Sequence, residues 1–141
     1  MSQWYENLNA LGKALEQTFP EIGTITSLKV LGVGFRSVVV ERDGGLVFRI
    51  GKNVYAVKGY TKEMHLLPVL RSYLPFSIPE PRWYKNSSQK FPFGVMGYPK
   101  LPGHCLSPEM LSKKNQKHLT SDIARFLLFL HRFPLDKAVE L

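Results

Sequence analysis

Arg49, a cation in a strand-like run that follows a glycine turn, is where residue types and spacing first suggest chemistry in this chain. Arg49 lies in the apolar run Val47-Phe48-Arg49-Ile50, Lys52 follows it, and Glu63 stands in a helical stretch beyond. Upstream, Leu31-Gly32-Val33-Gly34-Phe35-Arg36-Ser37-Val38-Val39-Val40 sets a glycine turn, with Phe35 in it, between two strand-like runs. Backbone without Cβ atoms can approach a polyphosphate closely, and a cation on the next strand can neutralise its charge. A Gly-x-Gly alone is a weak signal, since most such pairs are ordinary turns. For Arg49, a solvated surface charge is the alternative.

Other arrangements carry less. Cys105 follows His104 directly, and a neighbouring pair without an orienting third group seldom has catalytic geometry. His65, His118 and His131 have no partner at metal-ligand spacing. Lys113, Lys114, Lys117 and His118 could touch nucleic acid phosphates, but a solvated helix face explains them equally well, so nucleic acid is an unfavoured partner.

The chain has 141 residues, a hydrophobic content of 44% and a net charge of +8, which together describe one folded domain or lobe attracted to anionic partners such as nucleotides. One cysteine excludes an internal disulfide and suits a reducing, cytoplasmic setting. No signal-peptide pattern and no run of 18 apolar residues supports secretion or a membrane partner.

The elements that would position these residues follow from periodicity. Trp4, Leu8, Leu11 and Leu15 share a helical face with Ser2 available as cap, and Phe19-Pro20 closes the run. Strands are predicted over Ile25 to Leu31, Ser37 to Arg42 and Leu46 to Ile50, with Asp43-Gly44-Gly45 as a tight primed turn. A helix carrying Glu63 follows, with a kink or break at Pro68. Pro75, Pro79 and Pro81 enforce an extended stretch. Two further strands, Arg82 to Lys85 and Phe93 to Tyr98, are joined by the turn Asn86-Ser87-Ser88-Gln89. After Gly103, Leu119, Ile123, Phe126, Leu127 and Leu130 mark a helix with a core-facing stripe. The expected class is α+β, with a five-stranded antiparallel sheet.

This order of elements is that of a kinase-like small lobe, and three stretches carry a more specific likeness. They are Lys62-Glu63-Met64-His65-Leu66-Leu67-Pro68-Val69-Leu70 running on to Leu74-Pro75-Phe76-Ser77-Ile78-Pro79-Glu80-Pro81, then Gly97-Tyr98-Pro99-Lys100-Leu101-Pro102-Gly103, then Asp122-Ile123-Ala124-Arg125-Phe126-Leu127-Leu128-Phe129-Leu130-His131. On these the chain resembles the aminoglycoside phosphotransferase family, whose members share the protein-kinase-like fold.

The resemblance implies a nucleotide-binding lobe over residues 1–98, a hinge over 99–103 and the first helix of a second lobe over 104–141. It implies that Gly32, Gly34 and Phe35 cover the phosphates of ATP or GTP, with Ser37 where protein kinases place a third glycine. Val39 would pack on the base, with a buried strand valine as the compatible bland reading. Arg49 takes the place of the family's third-strand lysine, with Lys52 as the reserve cation and a solvated surface charge as the alternative for both, and Glu63 takes that of the helix glutamate paired with it. Tyr98 would guard the pocket, the Pro99 carbonyl accept from an adenine amine and the Leu101 N–H donate to a ring nitrogen. A rigid loop between subdomains is the alternative for that segment.

Phosphoryl transfer in this fold needs an aspartate for the substrate hydroxyl and acidic metal ligands. The three aspartates here, Asp43, Asp122 and Asp136, lack the His-x-Asp or Asp-x-Asp context that the family uses. The expectation is therefore a lobe inactive by itself, whose magnesium and small-molecule acceptor depend on a second lobe. Self-association through an exposed lobe interface is a further expectation. The reading from a different class is a free-standing, non-enzymatic module binding nucleotide, nucleic acid or a partner protein.

Overall fold

The structure is a computed structural model that describes residues 7–139, with side chains throughout that span except at positions 113, 114, 138 and 139. Helix α1 spans Leu8–Thr18. Asn7 caps it, its side-chain oxygen accepting from the Ala10 N–H at 3.0 Å. The expected roles of Ser2 and Trp4 lie outside the described residues.

Five strands follow, β1 Leu28–Val33, β2 Ser37–Arg42, β3 Leu46–Gly51, β4 Trp83–Lys85 and β5 Val95–Pro99. They form one antiparallel sheet in the order β1-β2-β3-β5-β4, the α+β sheet expected from the sequence. Alternation along β2 and β3 sends Val38, Val40, Phe48 and Ile50 to one face, where Leu11, Leu15, Phe19 and Val95 close a core with them. Phe48 is fully buried, its ring 6.0 Å from both the Phe19 and Trp83 rings. Gly97, opposite Phe48, makes room for that ring, since a Cβ there would stand 2.4 Å from the Phe48 Cε1.

The β2–β3 connection has the left-handed backbone expected of a primed turn, with Asp43 at φ 46° and Gly44 at φ 71°. It holds three residues between the paired Arg42 and Leu46, one more than the tightest form. Asp43 also ties the start of β1. Its Oδ1 accepts from the Thr26 hydroxyl at 2.7 Å and the Ser27 N–H at 2.7 Å, and Arg42 Nε lies 3.0 Å from Oδ2.

Other expectations are corrected. The first strand begins at Leu28 and continues through Gly32, with an irregularity between Val30 and Gly32 that sets Leu31 aside as a bulge. The Asn86 to Gln89 turn is part of a longer connection, folded around buried Phe91, whose carbonyl accepts from the N–H groups of Ser88 and Gly94. Helix α2 runs unbroken over Val54–Arg71 with Pro68 inside it. Pro68 lies in the last turn, where little helix remains for its missing donor to disrupt.

The chain divides into two units. The first comprises the described residues up to Met64 together with Pro79–Lys100, and the second comprises His65–Ile78 and Leu101 onward. The second contains helix α3, Lys113–His131, capped by Ser112 Oγ at 3.2 Å from the Asn115 N–H, and helix α4, Leu135–Val139. Edge-on contacts of Phe76 with Phe126 and of Tyr73 with Phe133 pack it. Of the stripe expected to face a core, Leu119, Phe126 and Leu130 are half-buried, while Ile123 is 49% and Leu127 43% exposed.

Candidate functional site

The sheet face opposite α1 gathers most of the candidate residues through strand register. Gly32 pairs with Val39, Val39 with Arg49, Arg49 with Met96, and Met96 with Tyr84, a single row across all five strands. In the next row Glu41 pairs with Val47 and Val47 with Tyr98. The first turns of α2 cover part of this face, where Ala56 and Tyr60 pack on Met96 with Met64, Tyr84 and Tyr98 around them. Val39 is half-buried, less enclosed than its neighbours Val38 and Val40.

Arg49 and Glu63 meet on this face. Arg49 Nη1 donates to Glu63 Oε2 at 2.5 Å, and both side chains are nearly three-quarters covered. The guanidinium carbon lies 5.1 Å from the centre of the Tyr60 ring, in cation–π range. Nε and Nη2 of Arg49 have no hydrogen-bond partner among the described residues. An arginine anchored at one nitrogen and stacked on a ring keeps donors for an anion in its planar fork.

Two tyrosines border the pair. Tyr60 is 1% exposed, and its hydroxyl has no hydrogen-bond partner among the described residues. Burial pushes its pKa up, partly offset by the Ser37 hydroxyl, which is near but outside hydrogen-bonding geometry, and by the Arg49 charge. Burial likewise raises Tyr98, against the pull of the Arg49 charge. Both hydroxyls therefore stay protonated beside the ion pair at neutral pH.

The glycine turn is built from the other side. Gly34 N–H donates to the Ser37 carbonyl at 2.8 Å and closes the loop, and Ser37 begins β2 buried opposite Gly51. A Cβ on Gly32 would meet nothing within 4 Å, and neither Gly32 nor Gly34 has positive φ. Packing within the chain does not explain Gly32, so any demand for a bare backbone there comes from outside it. Phe35 stands at the tip, 79% exposed. Lys52, the reserve cation, donates through Nζ to the Gly34 carbonyl at 3.0 Å.

At the far end of β5, Lys100 N–H donates to the Gly45 carbonyl at 2.9 Å and Gly51 N–H to the Gly94 carbonyl at 2.9 Å. Alternation between these bonds puts the Pro99–Leu46 pair at a non-hydrogen-bonded position. The missing N–H of Pro99 costs the ladder nothing there, and its carbonyl turns away from β3. Lys100 Nζ reaches Glu41 at 2.8 Å and holds the strand end against β2. Leu101 opens the second unit and is 37% exposed.

The remaining reactive side chains join no such cluster. Cys105 is exposed, as are Lys117 and His118. Among the described residues no three His, Cys, Asp or Glu side chains group as metal ligands, and no helix is long and apolar enough to cross a membrane. Sequence reasoning missed Tyr60, one helical turn before Glu63, a spacing that put it within reach of whatever Glu63 touches. It also missed Asn53, whose partner is distant in sequence and leaves no periodic signal.

The fold and this face define a kinase-like phosphotransferase architecture. A family model described as the phosphotransferase enzyme family matches residues 27–140, and the chain belongs to that family. The GDP complex of wild-type aminoglycoside 2'-phosphotransferase-IIIa is 27% identical with a TM-score of 0.85, over 95% of this chain and 45% of that one. The GDP and kanamycin complex of APH(2")-IIia is 28% identical with a TM-score of 0.82, over 91% of this chain and 43% of that one. Macrolide 2'-phosphotransferase type I, at 20% identity and a TM-score of 0.68 over 96% of this chain and 46% of that one, shares the fold. The chain spans under half the length of each of these structures.

Proposed function

We propose that the chain binds a nucleoside triphosphate, ATP or GTP, as the nucleotide-binding lobe of a small-molecule phosphotransferase. The observation that carries this reading is the Arg49–Glu63 pair, with Arg49 on the same cross-sheet row as Gly32 and Val39 and its Nε and Nη2 unpartnered among the described residues. The Gly32 to Ser37 turn covers the phosphates, Arg49 neutralises them, and Glu63 holds Arg49 in place. Val39 contacts the base, Tyr98 borders it, the Pro99 carbonyl accepts from the base and the Leu101 N–H donates to it. Residues 1–98 are the lobe in this reading, 99–103 its hinge and 104–141 the start of a second lobe.

The acceptor in the complete reaction is a small hydroxyl-bearing molecule. An aminoglycoside is favoured because one relative, 28% identical, was solved with kanamycin and GDP, which makes antibiotic resistance the biological role. None of Asp43, Asp122 and Asp136 has the context needed to receive the acceptor's proton or hold magnesium, so these 141 residues by themselves transfer no phosphoryl group. The reading places the chain in the cytoplasm, with the exposed apolar α3 residues Ile123, Leu127 and Leu128 driving self-association.

Calorimetric titration with ATP, GTP and the matching nucleosides tests the proposal. Saturable triphosphate binding that weakens on Arg49→Ala, with nucleoside binding retained, supports it. Triphosphate binding unaffected by that change contradicts it, and a steep salt dependence with Arg49→Ala tolerated would favour a nucleic acid module.

A further inference from the structure

Three successive carbonyls of the glycine turn accept hydrogen bonds from two consecutive residues at the β3–α2 junction. Lys52 Nζ donates to the Gly34 carbonyl at 3.0 Å, Asn53 Nδ2 to the Phe35 carbonyl at 3.1 Å and the Lys52 N–H to the Arg36 carbonyl at 2.8 Å. Asn53 has a second bond, its Oδ1 accepting from the Tyr55 N–H at 3.1 Å, the N-cap contact of α2. One side chain thus joins the tip of the turn to the start of the helix that carries Tyr60 and Glu63. We infer that Asn53 is a positioning residue that couples the glycine turn to the Arg49–Glu63 pair, so that the two halves of the triphosphate site hold one geometry.

The consequence for the turn follows from peptide planarity. In a trans peptide the N–H of one residue points opposite to the carbonyl before it, and the described chain has no cis peptide bond. With the Gly34 and Phe35 carbonyls drawn to the junction, the N–H groups of Phe35 and Arg36 face away from it, and neither has a hydrogen-bond partner among the described residues. Successive free amides held in one direction suit an anion. Without Asn53 the turn would have to be ordered when ligand binds, at a cost in affinity. This assignment rests on the nucleotide-binding reading for its ligand, but the coupling itself does not.

The test separates the two bonds of Asn53. Asn53→Ser keeps a neutral N-cap acceptor for α2 but is too short to reach the Phe35 carbonyl. Hydrogen exchange of the Gly34 amide, which donates to the Ser37 carbonyl and closes the turn, should speed up in this variant when measured without nucleotide, while exchange in α2 stays at the unsubstituted protein's rates. Triphosphate affinity should fall about tenfold, the scale of one lost hydrogen bond, with nucleoside affinity retained. Exchange in the turn at the unsubstituted rate would overturn the coupling. Faster exchange with undiminished triphosphate affinity would overturn the role in the site. If the unsubstituted chain binds no triphosphate, the nucleotide reading fails and the assignment to a triphosphate site fails with it, while the exchange arm still decides the coupling. Should Asn53→Ser fold poorly, Asn53→Asp, which also caps a helix and cannot donate to Phe35, is measured by the same exchange experiment.

Discussion

Arg49 and Glu63 are joined through a single guanidinium nitrogen, Nη1 to Oε2 at 2.5 Å, while the rest of the guanidinium lies over Tyr60. That one-point anchor differs from a closed bidentate pair, which would occupy two of the donors of Arg49 with the carboxylate. Glu63→Gln should therefore leave the fold intact and weaken triphosphate binding less than Arg49→Ala, because it loosens the cation without removing it. Arg49→Ala should cost about ten- to a hundredfold in triphosphate affinity, the range for lost charged hydrogen bonds. Isothermal titration of the two variants side by side checks the ranking, and equal losses would contradict it.

Gly32 offers a test with little risk to the fold. A methyl group there meets nothing within 4 Å, and the backbone is not left-handed. Gly32→Ala should shift stability by no more than about 0.5 kcal/mol, as for other surface changes, and still reduce triphosphate affinity. Denaturant titration and binding on the same preparation read both effects, and undiminished affinity would place the phosphates elsewhere.

Gly97→Ala should do the opposite, acting on stability through the face away from the site. The added Cβ would stand 2.4 Å from a Phe48 ring atom inside the α1 core. Overpacking of this kind typically costs about 1–3 kcal/mol. Thermal and urea unfolding should show the loss, and a stability equal to that of the unsubstituted chain would mean that the Phe48 ring shifts freely.

Asp43 gives the chain an acid-sensitive tie. Hydrogen bonds from Thr26 and Ser27 hold its carboxyl at a pKa of about 2, against an ordinary value of 3.8. Because the folded pKa is the lower one, the contribution to stability is complete above the ordinary value and is lost as pH falls through about 2. Asp43→Asn should lower the melting temperature near neutral pH and flatten its decline across that acid window. A variant whose melting curve retains the full acid dependence would assign the effect to other carboxylates.

Much of this architecture was legible in the order of residues. Alternation along Ser37 to Arg42 and Leu46 to Ile50 identified β2 and β3, and their register then brought Val39 beside Arg49. Arg49 and Glu63 were paired by family resemblance, and the structure brings them together. What escaped depends on contacts that periodicity does not encode. The bulge at Leu31 carries the first strand through Gly32. Pro68 reads as a break, yet near a helix end it has few bonds left to disturb. Ile123 and Leu127 belong to an apolar stripe yet stay exposed, since a stripe predicts a covering surface without supplying one. The Asn53 to Phe35 bond spans 18 positions and depends on a loop closing over a strand end.

The most direct test of the nucleotide reading is the amide chemical-shift map of the chain titrated with GTP and with ATP. The account predicts saturable shifts at Gly32, Gly34, Phe35, Val39, Arg49 and Tyr98, with those at the turn absent when guanosine or adenosine replaces the triphosphate. Shifts confined to Lys117, His118 and their neighbours on α3, or no saturable shift on the sheet face, would contradict it.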